Sequence, residues 1–303
     1  MPVLSPSLCP LLTKEAIHEL EEAAGIRTVF DFVTGESADI ANKISLLSLQ
    51  DVLSIRRSLL SIYSSFPVTA ANLWEQMKTS SAFLSTGIPS IDSLLGGGVF
   101  TGELTEISGQ SSVGKTQLCL NASAHTIVHT MSTAVYIDTN GSFSSLRLKQ
   151  FIPTEEYQQD GDILKKLVVF QVSNLFELLQ LIQDLKESIR KQASEFYSQL
   201  HLIVIDSLVS LLIPLMGNQL LPHLVQLIRD LQGLAHSQSI AILYTSSNDL
   251  FSFYGHNSAK PLLLKALSSA PHVKLSLSTI GDKKIAVLEK SQRLRSGSTV
   301  NLT

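Results

Sequence analysis

The chain has 303 residues, enough for one large domain or two modest ones, each with its own hydrophobic core. Its formal net charge of −3 excludes a strong global attraction for nucleic acid, so any DNA contact has to be local. Charged residues make up 16% of the chain, against roughly 25% in an average soluble domain. We therefore expect exposed apolar surface that partner proteins cover.

Two cysteines, Cys9 and Cys119, are too few for a disulfide framework and lack metal-ligand spacing. The N-terminal segment carries no basic residue before Lys14, and no run reaches the ~18 apolar residues that a membrane span requires. The sequence therefore indicates an intracellular protein of a reducing compartment that is neither secreted nor inserted in a membrane.

Residues 1–63 are predicted to form a small helical domain. Thr13 is a suitable N-cap for a helix that Gly25 terminates, a short helix is predicted over residues 37–43, and apolar spacing predicts another over residues 49–63. Residues 64–87 begin near a proline and are rich in Ser and Thr, which is typical of a linker. Residues 88–303 are predicted to form the second domain.

From residue 104 onward, short β-like runs alternate with longer helical patterns. Such alternation indicates crossover units around a mostly parallel sheet, so the predicted fold class is α/β. Two leucine-rich segments, 173–192 and 218–236, are predicted to cover the sheet. The predicted strands lie at 104–108, 134–138, 167–172, 201–206, 240–246, 273–277 and 284–289.

The segment GQSSVGKT, residues 109–116, lies between a predicted strand and a predicted helix. Its glycines let backbone N–H groups turn inward toward phosphate oxygens, and the N-terminal end of the next helix adds positive potential. Lys115 is placed to reach the β- and γ-phosphates, and the Thr116 hydroxyl to coordinate Mg²⁺. The predicted nucleotide site comprises Gly109, Gln110, Ser111, Ser112, Val113, Gly114, Lys115 and Thr116.

A phosphate-binding loop needs a second magnesium partner, commonly an Asp at the end of a buried strand. Asp206 ends the apolar run HLIVID and is the predicted partner of Thr116. Asp138 ends AVYID and competes for that role, and either Asp could instead cap the helix that follows its strand. ATP and Mg²⁺ are therefore the predicted cofactors.

The stretch LSTGIPSIDSLLGGGVFTGELTEISGQSSVGKTQLCL resembles the entry to the ATPase core of RecA-like eukaryotic DNA recombinases. VYIDTNGSFSSLRL resembles that family's next signature, LIVIDS its Walker B strand, and AILYTSSND the strand that enters a DNA-binding loop. CPLLT near the start, LSTGI and the Asn of IDTNG are most similar to the D-type paralogues of the family. The resemblance implies a RecA-like P-loop core behind a helical N-terminal domain. It also implies a nuclear role in homologous-recombination repair of DNA.

Two positions depart from the pattern of the family that the chain resembles. Asn140 stands where active recombinases hold a Glu that orients the attacking water, and an amide cannot accept a proton. Ser247 falls at the position of the γ-phosphate-sensing Gln and is shorter. The resemblance therefore implies slow hydrolysis and assigns no catalytic residue, unless another carboxylate such as Glu106 or Asp138 substitutes.

The C-terminal segment is the basic part of the chain. Residues 255–303 have a net charge of +6, and the loop before them offers aromatic rings of the kind that stack on single-stranded DNA. Alternatively, those rings pack on the core beneath a solvated basic edge. The chain then ends at STVNLT, where no final strand and turn of the kind that the resemblance implies is predicted, and a shortened form is one alternative. The predicted DNA contacts are Phe251, Phe253, Tyr254, His256, Lys283 and Lys284.

Three functions fit these features. The first is an ATP-binding, weakly hydrolysing adaptor that joins sister recombinase paralogues in a hetero-oligomer and assists recombinase filaments on single-stranded DNA. Its acidic N-terminal domain would dock one partner. Phe66 resembles the family's linker anchor, although a lone Phe after a helix is more often a local staple. The second is a self-sufficient DNA-dependent ATPase that performs strand exchange, and the third is a P-loop small-molecule kinase. Low charge content and Asn140 favour the first.

Overall fold

The chain divides into two compact units, Met1–Glu75 and Gln76–Thr303, each with its own core. The structure is a computed structural model. It describes residues 3–63, 67–130, 132–153, 163–212, 220–247, 260–281 and 283–302.

Helices form the first unit. Its core contains Leu20 of the first helix, Phe32 of the second and Ile55 of the fourth, and all three side chains are fully buried. The helices are α1 (Lys14–Ala24), α2 (Val29–Thr34), α3 (Ser37–Lys43), α4 (Leu49–Tyr63) and the start of α5 (Ala70–Ser80).

Local capping explains where the first two helices begin. The Thr13 hydroxyl accepts a hydrogen bond from the amide of Ala16, and Gly25 ends α1 in the left-handed conformation. These features confirm the helix predicted there. α2 has no counterpart among the predicted helices, because VFDFVT is rich in residues that favour strands. A capping box between Thr28 and Asp31 starts it.

The second unit is built on a sheet in which, within the described residues, eight strands have the order β10-β9-β8-β3-β7-β6-β4-β5. Parallel pairing joins β8, β3, β7, β6, β4 and β5, which confirms the mostly parallel sheet. The parallel strands are β3 (Leu104–Gly109), β4 (Thr133–Asp138), β5 (Leu167–Gln171), β6 (Leu200–Asp206), β7 (Ala241–Ser247) and β8 (Val273–Ile280).

Two antiparallel strands extend the sheet beyond β8. They are β9 (Lys283–Lys290) and β10 (Thr299–Leu302), and β10 pairs with β9 along its whole length. The prediction that no final strand follows the basic segment is therefore wrong. The four residues of β10 bury little of their side chains, so their sequence carries only a weak hydrophobic signal. They form a strand because they pair with β9.

Helices cover both faces of this sheet. One face packs against α7 (Lys115–His129), and its core includes Ile107, Tyr136 and Leu243. The other face packs against the two leucine-rich helices, which confirms their predicted role. Those helices are α9 (Leu175–Arg190) and α11 (Leu220–Gln238). The structure also describes two short 3-10 helices (Ile163–Lys166 and Val209–Leu211), β1 (Phe83–Leu84), β2 (Val99–Phe100), α6 (Pro89–Leu94), α8 (Ser145–Phe151), α10 (Glu195–Ser198) and α12 (Lys260–Ser269).

Candidate nucleotide and metal site

The loop between β3 and α7 requires glycine at both of its ends. A Cβ atom on Gly109 would lie 2.5 Å from the carbonyl oxygen of Leu277 on the neighbouring strand. Gly114, with φ of 114°, is the N-cap of α7 and adopts a conformation that other residues rarely tolerate. The loop therefore curls tightly against the end of α7, as a phosphate-binding loop must.

Lys115 and its neighbours surround an open cavity of about 400 Å³. The Lys115 ammonium donates hydrogen bonds to the carbonyl oxygens of Gly109 (2.8 Å) and Gln110 (2.7 Å). Because the cavity lies at the N-terminal end of α7, the helix dipole favours an anion there. The cavity is lined by Ser111, Ser112, Gly114, Lys115, Thr116, Gln117, Asn140, Ser142, Asp206, Ser207, Thr245 and Ser247.

Asp206, at the end of β6, lies beside Thr116 as the sequence predicts. The Thr116 hydroxyl donates to Asp206 Oδ2 at 2.7 Å, and the carboxylate is 3% exposed. Three further hydroxyl groups lie within hydrogen-bond distance of it: Tyr136 (3.0 Å), Ser142 (3.2 Å) and Thr245 (2.6 Å). These donors hold one carboxylate orientation at the floor of the cavity.

Tyr136 is a permanent donor to this carboxylate. Burial raises the pKa of its hydroxyl far above the ordinary value, and the nearby Asp206 charge acts in the same direction. Sequence reasoning did not single out Tyr136, Ser142 or Thr245. Their convergence depends on β4 and β7 lying on either side of β6, which local patterns do not reveal.

The other two carboxylates considered for the site have different surroundings. Asp138 accepts hydrogen bonds from the backbone amides of Asn140, Ser142 and Phe143, so it holds the loop after β4. Glu106 is on the sheet face opposite α7 and accepts a hydrogen bond from Ser246 at 2.5 Å. Neither lines the cavity.

Glu106 is also distinguished by its burial. Burial raises the pKa of its carboxyl above the ordinary value of 4.5, although the hydrogen bond from Ser246 and the positive charge of Lys274 oppose the shift. A carboxylate in this position is a structural group of the sheet rather than a water-orienting one.

Asn140 and Ser247 both line the cavity, at the positions where the family's pattern has Glu and Gln. Asn140 is solvent-exposed, and Ser247 ends β7 beside Gly109 in the strand register. In the described part of the chain, the only carboxylate that lines this cavity is therefore Asp206.

The predicted DNA contacts are only partly described. Phe251, Phe253, Tyr254 and His256 lie outside the described residues, as does Phe66 in the linker. Lys283 and Lys284 begin β9, are solvent-exposed, and stand at the same end of the sheet as the phosphate-binding loop.

The residues present fit a magnesium nucleotide. Thr116 and Asp206 place a hydroxyl oxygen next to a carboxylate oxygen, which are ligands that Mg²⁺ prefers, and a cation and a helix N-terminus adjoin them. When bound, MgATP supplies a cleavable bond between the β- and γ-phosphates. Within the described residues, no helix is long and apolar enough to span a membrane.

Comparison with known proteins identifies the family. The model described as Rad51 matches residues 78–300, and the model described as the RAD51D N-terminal domain matches residues 1–61. DNA repair protein RAD51 homolog 4 of Bos taurus is 36% identical over 315 residues, which cover 100% of this chain and 95% of that protein. The Mus musculus protein of that name is 33% identical over 309 residues, which cover 98% of this chain and 93% of that protein.

DNA repair protein RAD51 of Saccharomyces cerevisiae is similar over a smaller region. It is 31% identical over 196 residues, 59% of this chain and 45% of that protein. The full-length relatives and the two family models agree with the resemblance seen in the motifs. The chain therefore belongs to the Rad51 family, as a RAD51 paralogue of homologous-recombination repair in the RAD51 homolog 4 group.

Proposed function

We propose that this chain is a nuclear, MgATP-binding adaptor that hydrolyses ATP slowly, joins sister paralogues in a hetero-oligomer and assists recombinase filaments on single-stranded DNA. Membership of the Rad51 family implies nucleotide binding and interaction with recombinase paralogues and DNA. The observation that carries the proposal is the make-up of the cavity. Lys115, Thr116 and Asp206 adjoin it, and Asn140 occupies the position where a water-orienting carboxylate is expected.

The nucleotide part of the proposal depends on Lys115. Its ammonium is the charge that would meet the phosphates, so Lys115→Ala should abolish binding of a fluorescent ATP analogue in the presence of Mg²⁺. Lys265→Ala removes an exposed lysine from α12 and serves as the control, with affinity equal to wild type. Equal affinity in wild type and Lys115→Ala would contradict the assignment.

Exposed apolar side chains in both units support the adaptor part. In the first unit, Leu49, Leu53 and Leu60 of α4 are 47%, 38% and 41% exposed, and their spacing places them on one side of the helix. In the second unit, Leu146 of α8 is 75% exposed. Apolar groups at these levels of exposure are suited to protein contacts.

A pair of charge substitutions tests whether each unit has its own partner. Leu53→Asp alters α4 and Leu146→Asp alters α8, and neither residue is in a hydrophobic core. In pull-downs from cells that co-express the sister paralogues, each variant should lose one partner and retain the other. Retention of all partners by both variants would refute separate docking surfaces on the two units.

A further inference from the structure

The side chain of Lys284 reaches the phosphate-binding loop from another part of the chain. Its Nζ atom lies 3.9 Å from the position that a Cβ atom on Gly114 would occupy. β9 pairs with β8, and β8 pairs with β3, the strand that leads into the loop. Residues separated by 170 positions in sequence are therefore adjacent at one end of the sheet.

Strand alternation separates Lys284 from its neighbour Lys283. Ala286 and Leu288 are buried in the core cluster beneath α7. Because side chains two residues apart share a face of the sheet, Lys284 belongs to the α7 face and Lys283 to the opposite one. The two lysines, which the sequence groups together as DNA contacts, stand in different surroundings.

The surroundings of Lys284 carry further positive charge. Gly114 is the N-cap of α7, whose N-terminal end is positive, and the Lys115 ammonium is held in the same loop. Among the described residues, no carboxylate forms an ion pair with Lys284. Two ammonium groups and a helix N-terminus thus adjoin one loop, and the phosphates of a polyphosphate would neutralise them.

We propose that Lys284 is a second cation of the nucleotide site and contacts the phosphates of the bound nucleotide instead of DNA. The proposal rests on the nucleotide binding proposed above. It assigns to β9 a binding role that the loop motif alone does not contain, and leaves Lys283 as the DNA candidate of the pair.

Equilibrium titration of the full 303-residue chain with a fluorescent ATP analogue and Mg²⁺ tests the proposal. The chain would be carried on a solubilising fusion that binds no nucleotide. Lys284→Met removes an exposed charge and should weaken binding about tenfold, the size expected for one charge-assisted hydrogen bond. Lys284→Arg keeps the charge and should stay within about threefold of wild type. Lys265→Met, which removes an exposed lysine to which no role is assigned, is the control and should stay within about twofold.

Each outcome decides a separate point. If wild type and Lys284→Met bind the ATP analogue with equal affinity, the role of Lys284 is overturned and the proposed function stands. Equal losses of affinity in Lys284→Met and Lys284→Arg would also overturn it. The Arg variant keeps the positive charge, so a contact that depends on this charge should be retained there. A wild type that does not bind the analogue would overturn both proposals. A tenfold loss confined to Lys284→Met would support the phosphate contact.

Discussion

Replacement of Asn140 by Glu tests whether the absence of a base limits hydrolysis. Asn140 lines the cavity beside Thr116 and Asp206, and its backbone amide is held by Asp138 at 3.2 Å. Its side chain is exposed, so a glutamate there would stay hydrated and ionised without disturbing the core. The substitution should therefore add a proton acceptor and leave the fold unchanged.

The expected gain follows from that exposure. A positioned general base contributes about 10²- to 10⁴-fold to the rate, and a solvent-exposed carboxylate should give the lower end of the range. A rate increase of ~10²-fold corresponds to ~2.7 kcal/mol of activation free energy. Nucleotide affinity should change little, because Lys115 and Thr116 are untouched.

Single-turnover hydrolysis of MgATP measures this change without interference from product release. Asn140→Gln is the matched control, since it has the length of Glu but accepts no proton, and its rate should equal that of wild type. Equal rates in Asn140→Glu and Asn140→Gln would refute the reasoning. A fast wild type that neither substitution alters would place the base elsewhere.

Three further results are expected. Tyr136→Phe removes one donor to Asp206 and should lower the free energy of unfolding by ~1.5–3 kcal/mol in denaturant titrations, whereas an unchanged midpoint would contradict the hydrogen bond. The Leu104 amide donates to His272 Nδ1, and burial lowers the His272 pKa below 6.5. The free energy of unfolding should therefore fall as pH drops below 6.5, and it should fall less in His272→Asn. The same pH dependence of thermal unfolding in wild type and His272→Asn would contradict this expectation. Because burial raises the Glu106 pKa, the free energy of unfolding of wild type should fall as pH rises above 4.5. The stability of Glu106→Gln relative to wild type should therefore be greater at pH 8 than at pH 5. A difference between the two proteins that stays constant with pH would contradict the raised pKa.

Local sequence was sufficient for the elements that carry the site. The loop between Gly109 and Thr116 could be predicted because its glycines, Lys and Thr are consecutive and lie between a strand pattern and a helix pattern. The α4 helix, Leu49–Tyr63, could likewise be predicted because its apolar spacing is a property of neighbouring residues. The low charge content predicts exposed apolar surface, and Leu146 is one exposed apolar side chain in the structure.

Tertiary structure decided the contacts between distant segments. Asp206 takes its hydroxyl donors from α7, β4, the loop after β4, and β7, and their convergence depends on the strand order β7-β6-β4. The separation of Asp138 from the cavity depends on which backbone amides its loop turns toward it.

The different surroundings of Lys283 and Lys284 show the same limit. Adjacent lysines look equivalent in a sequence, yet strand alternation places them on opposite faces of the sheet, and only the pairing of β9 with β8 brings one face to the loop. Sequence patterns determine which elements form, because the forces behind them act over a few residues. Strand order and register determine which side chains meet, because those depend on pairing between segments far apart in the chain.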